Sequence, residues 1–221
     1  MDMERQPWME DSIEEARRDG ARLRLLYSQS PLAFSFPVLA GLVLVPMLWD
    51  RSSRVLLLGW LATVIVYSGL RLFFLLRCRH SEPEITRCGQ RLNSFAVSAL
   101  VSGIIWGAAP ILLVPYQAGK LVEFTLHNGL VILVVCGLTA GAAVAYAASL
   151  RVLFLYVVPA LVPPAFYLIS LGDRYNTTLG GLVLLYFIFI SAAAIRMNCQ
   201  LQRYFETEFK LERLQKDLGL N

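Results

Sequence analysis

Six apolar runs constrain this chain more than any other feature. They cover residues 32–49, 55–76, 95–114, 121–147, 152–171 and 179–195, and each is nearly free of charge. A run of about 20 such residues crosses the ~30 Å hydrocarbon core of a bilayer as a helix. The runs are solidly apolar, with none of the alternation of an outer-membrane barrel, and helices satisfy every backbone group inside lipid. Only 16% of the 221 residues are charged, against 57% hydrophobic, whereas a soluble domain carries about 25% charged residues. The expected fold is an all-α membrane protein. Six transmembrane helices fill residues 31–200, a polar segment precedes them (1–30) and a charged helix follows (201–221).

Residues 1–30 lack the apolar stretch of a signal peptide. Ile13, Ala16, Gly20, Leu23 and Tyr27 recur at three- and four-residue spacing. That spacing fits an interfacial helix, and the segment reads equally as a polar tail. Direction across the membrane follows from the basic residues. The N-terminal segment holds five (Arg5, Arg17, Arg18, Arg22, Arg24), as does the second connection with its flank (Arg71, Arg77, Arg79, Arg87, Arg91). Arg151 stands in the fourth connection, and the C-terminal segment holds five more (Arg196, Arg203, Lys210, Arg213, Lys216). The opposite side has only Arg51, Arg54, Lys120 and Arg174 of the 20. The positive-inside rule then expects both termini in the cytoplasm, at a bacterial inner membrane. The net charge of +4 is thus read as an orientation signal, not as affinity for nucleic acid. The outer connections, "DRSSR", "PYQAGK" and "GDRYNTT", leave no room for an external ligand-binding domain.

Chemistry inside the spans concentrates in the third and fourth. Gly103 and Gly107 form a GxxxG in "SGIIWGAAP", as do Gly137 and Gly141 in the next span. Small residues at that spacing let another backbone approach closely, so both faces are expected to touch protein. Trp106 lies about 15 Å inside the outer end by helix rise, on the same face as Ser94, Ser98 and Ser102. Packing is one account of that depth; a polar pocket is another. In the fourth span Glu123 and His127 stand one helical turn apart, with Asn128 beside them. An ionisable residue within a span is a functional candidate. The expected site is therefore an outward-facing signal pocket of Trp106, Glu123, His127 and Asn128. The competing account has Glu123 at the interface and His127 bonded to a neighbouring helix. Pro159, Pro163 and Pro164 remove backbone donors from the fifth span, which is expected to kink or break.

Other chemistry is missing from the sequence. His80 and His127, the only histidines, fall on opposite sides in this topology. Cys78, Cys88, Cys136 and Cys199 are expected as reduced thiols on the inner side or in the membrane, at spacings that match no metal-ligand pattern closely. There is no P-loop, GxSxG, HExxH or dinucleotide fingerprint. Neither a catalytic residue, a metal nor a cofactor is expected.

Past the last span the helix pattern continues without a breaker up to Gly219. Tyr204, Thr207, Leu211, Leu214 and Leu218 make a short heptad-like seam among balanced Glu and Lys residues. A parallel homodimer contact fits this charge balance better than a helix lying on lipid does. At this point "RLRLLYSQSP", "LWDR", "SGIIWG" and the closing "LERLQ" helix resemble the polytopic sensory modules of bacterial signalling proteins. Such modules precede histidine kinase cores or the GGDEF and EAL domains of cyclic di-GMP turnover. The resemblance implies an input module that passes a membrane-borne or small-molecule signal through its last helix to an output domain, in cis or in trans. No output signature occurs in the 221 residues, so the expectation is an input module of a longer protein or a standalone membrane partner. Two alternatives stand beside it: a small transporter or channel, and a lipid-modifying enzyme with Glu123 and His127 as an acid/base pair.

Overall fold

Long apolar runs with few breakers become long helices. The computed structural model describes residues 35–79, 88–116 and 118–217. Six helices fill them: α1 (Ser35–Leu48), α2 (Arg54–Arg79), α3 (Cys88–Leu112), α4 (Leu121–Ala145), α5 (Leu150–Ser170) and α6 (Arg174–Asp217). A 3-10 turn (Ala118–Lys120) leads into α4, and there is no strand among the described residues. Helices α2 to α6 are each long and apolar enough to cross a bilayer, while α1 is shorter over its described residues. The chain is an all-helical, multi-pass membrane protein. Residues 1–30, His80 and Leu218 lie outside the described residues, as does most of the second connection.

Apolar side chains on the outside match that setting. Val55, Val66, Val122, Phe189 and Leu185 are all largely exposed, which water would penalise and lipid tails accept. Burial is uneven. Half of the α3 and α5 span residues are buried, against 17% for α2 and 22% for α6. Helix α5 is therefore the hub. It packs most extensively on α3 and α6, and α4 lies across α5 and α6.

The hub position depends on glycine. A Cβ built on Gly107 would lie 2.0 Å from the Pro159 carbonyl oxygen, and one on Gly103 would lie 2.3 Å from that of Tyr156. No side chain fits there, so the α3 and α5 backbones touch. Pro163 explains part of the fit. It has no N–H, so the Pro159 carbonyl loses its partner four residues on and is the oxygen found against Gly107. On the other side of α5, a Cβ on Gly180 of α6 would lie 2.7 Å from the Ala165 oxygen. Of the two outcomes expected for the fifth span, a kink or a break, the break does not occur: α5 runs unbroken from Leu150 to Ser170 through all three prolines. Tight neighbours on both sides hold it. Gly137 and Gly141 behave differently: nothing lies within 4 Å of a Cβ built on either. Within one chain no neighbour packs on these two glycines.

The last span also begins earlier than the expected 179. Gly172 takes a left-handed φ of 73°, a conformation that suits glycine at a helix C-terminus. The α5 end is closed by Leu171 N–H to Leu168 O (3.3 Å) and Gly172 N–H to Ile169 O (3.2 Å). Asp173 then starts α6. Its carboxylate accepts from the Asn176 backbone N–H (2.9 Å) and from the Asn176 side-chain amide (2.6 Å). The polar stretch 174–178, which reads as loop, is in fact the first turn of a capped helix. Asn176 is fully buried, so the "NTT" triplet presents no accessible acceptor for a glycan.

One face of α6 packs on the bundle. Asn176, Gly180, Val183, Ile190, Ala194 and Asn198 are its buried positions. Polar bonds fasten α6 to α4 and its following turn at three levels. Thr125 donates to Asn176 Oδ1 (3.2 Å), Tyr186 to the Cys136 carbonyl (2.7 Å), and Asn198 to the Ala147 carbonyl (2.6 Å). Such bonds are worth about 0.6–2 kcal/mol each between membrane helices, and they fix rotation as well as distance.

Candidate functional site

The turn between α1 and α2, the α3–α4 connection and the first two turns of α4 meet at one end of the bundle. There they line an open pocket of about 140 Å³. Its polar wall is Asp50, Arg51, Lys120, Glu123 and His127, and its apolar wall is Val114, Pro115 and Phe124. Local sequence explains how these groups converge. Backbone N–H to Leu48 O bonds from Arg51 and Ser52 close the α1–α2 turn, and Asp50 and Arg51 stand exposed on it. Pro115 follows the end of α3, so the chain leaves the helix there. Glu123 lies in the first turn of α4, where the helix dipole favours a carboxylate.

Arg51 holds Glu123 with both terminal guanidinium nitrogens. Nη1 donates to Oε2 at 2.7 Å and Nη2 donates to Oε1. Lys120 Nζ stands 3.9 Å from Oε2. The pair joins residues 72 apart in sequence, and it fastens the α1–α2 turn to α4. His127 Nδ1 lies 2.6 Å from the Glu123 backbone carbonyl. A carbonyl only accepts, so Nδ1 carries the proton and Nε2 is left for the cavity. Asp50 has no hydrogen bond or ion pair among the described residues.

Of the four residues expected to form the pocket, Glu123 and His127 do line it. Trp106 and Asn128 do not. Trp106 is buried against Trp60 of α2, edge to face at 5.0 Å between ring centroids, and Trp60 Nε1 donates to the Ile105 carbonyl (3.1 Å). Asn128 is fully buried, and neither its amide nitrogen nor its oxygen has a hydrogen-bond partner among the described residues. The reason is angular: successive residues on a helix are 100° apart, so Asn128 turns into the bundle while His127 turns to the cavity. The acid/base pairing of Glu123 with His127 is not formed either. The carboxylate is taken by Arg51, and the imidazole bonds the backbone. No three His, Cys, Asp or Glu side chains come together as metal ligands among the described residues.

Sequence reasoning missed Asp50, Arg51 and Lys120. Arg51 and Lys120 entered the topology count as loop charges and Asp50 was not weighed, and only the fold brings the three to one pocket with Glu123. The motifs "LWDR" and "AGK" carried the signal, since each sets a charge at the mouth of the bundle. Among the remaining expected residues, Tyr204, Thr207, Leu211 and Leu214 all fall on α6, where Tyr204 and Thr207 are exposed. No protein-family model, curated protein or solved structure matches the chain.

Proposed function

We propose that this chain is the sensory input module of a bacterial inner-membrane signalling protein. In this reading six spans cross the membrane with both termini in the cytoplasm. The cavity at the outer rim takes the signal, and α6 carries the response to a kinase or cyclic di-GMP output domain, in cis or in trans. A homodimer through the α6 seam completes the device.

The observation that supports this reading best is the length and fastening of α6. It is one helix of 44 residues, about 66 Å long at 1.5 Å per residue and more than twice the ~30 Å apolar core. About half of it therefore projects beyond the lipid. Its embedded half is fastened to α4, the helix that carries Glu123 and His127, at three levels. A change at the rim has a continuous solid path to the projecting end, and the signal need only bind two bundle states unequally.

The test is a fusion of the chain to a kinase or cyclase core, with regulated output as the readout. Inserting two glycines after Thr207 should leave the protein inserted in the membrane and abolish regulation. Regulation that survives the insertion would sink the reading.

A further inference from the structure

The reading above leaves the signal open, and the cavity is specific about charge. Arg51 and Glu123 neutralise each other through a two-bond pair. What is left facing the space is one cation and one anion. Lys120 is held only loosely, 3.9 Å from Glu123, and Asp50 has no partner among the described residues. His127 adds Nε2, since its other nitrogen is committed to the Glu123 carbonyl. Val114, Pro115 and Phe124 form the apolar side. Water takes about 30 Å³ per molecule, so a pocket of about 140 Å³, open to solvent on one side, holds roughly five non-hydrogen atoms.

We propose that this cavity binds a small zwitterionic α-amino acid of glycine or alanine size. The ligand carboxylate faces Lys120, which offers three donors. The ligand ammonium faces Asp50 and the Nε2 lone pair of His127, both acceptors. A methyl side chain rests on Phe124 and Val114. A zwitterion leaves the net charge of the site unchanged. A monocarboxylate would leave Asp50 unpaired and add a negative charge, and an amine would do the same in the opposite sense to Lys120.

The proposal rests on reading the cavity as the signal site, and its test separates the two. Glycine, L-alanine, propionate and ethylamine are titrated calorimetrically into the purified full chain in lipid nanodiscs. L-Alanine is expected to bind at least tenfold more tightly than propionate or ethylamine. Asp50→Asn is expected to cost L-alanine tenfold while binding propionate no more weakly, and Lys120→Gln is expected to cost L-alanine tenfold while binding ethylamine no more weakly. Melting temperature measured on each variant without ligand shows that it is folded. Equal binding of propionate and L-alanine would overturn the zwitterion assignment, as would no binding of any probe. Output from the fused kinase or cyclase is then read with L-alanine present. Binding without an output change would overturn the sensory reading and leave the site standing. Regulated output without binding would overturn the site.

Discussion

Two pairs of glycines share one sequence pattern and have opposite surroundings. Gly103 and Gly107 of α3 are pressed on the α5 backbone so closely that a Cβ would meet carbonyl oxygens at 2.3 and 2.0 Å. A Cβ on Gly137 or Gly141 of α4 would meet nothing within 4 Å. The spacing states that a backbone can come close, and the partner decides whether it does. The α3 pair faces a helix whose Pro163 has released the Pro159 carbonyl from its own helix. The α4 pair is turned outward, because Thr125, Cys136 and Ala147 bind α6 through Asn176, Tyr186 and Asn198 and so set the rotation of α4.

This contrast can be broken directly. Gly107→Leu should lose about 3 kcal/mol or more, the upper range for overpacking at a site that cannot yield. Gly141→Leu should stay within about 0.5 kcal/mol, as for a surface site. Thermal unfolding in detergent reads both, and equal losses would erase the distinction. Pro163→Ala sharpens it. The new N–H recaptures the Pro159 carbonyl, and the α3–α5 approach should loosen at a cost of about 1 kcal/mol. Combined with Gly107→Ala the two should be non-additive by about 0.5–1 kcal/mol, whereas independent sites add. Additive losses would remove the proline from the explanation.

The smallest effect is expected at the α5–α6 joint. Slight burial raises the Asp173 carboxyl, but hydrogen bonds from Asn176 and Tyr175 outweigh it and leave the group below its ordinary value. A carboxyl lowered in the folded state contributes stability above its unfolded pKa, about 3.9, and that contribution is lost as pH falls through the folded value. Asp173→Ala should thus cost about 0.5–1 kcal/mol at pH 7 and less at the acid end of a denaturation series. The joint is also held by Gly180 against Ala165, so the α3–α5 contact should be untouched. A loss that persisted unchanged at acid pH would show that the cap is not electrostatic.

Much of the fold was legible because hydropathy acts over twenty residues at a time. The boundary of α6 was not, since 174–178 is polar and its helical start depends on the Gly172 conformation and the Asp173 cap. The candidate site was half legible. Glu123 and His127 announce themselves by their one-turn spacing on an apolar helix. Trp106 was placed with them by depth alone, and depth says nothing about which way a side chain points around its helix. Arg51 sits 72 residues from Glu123, beyond the reach of any local pattern.

Helix α6 also has the mechanics of a lever. Its fastening points at Asn176 and Asn198 are about 33 Å apart, and the far end at Asp217 is about 62 Å from the first of them, by helix rise. With Asn176 as fulcrum, a sideways step of 1 Å at Asn198 becomes about 2 Å at Asp217. The turn that carries Ala147 bonds Asn198 directly, so a sub-ångström adjustment of that turn is geometrically doubled before it reaches the end of the rod.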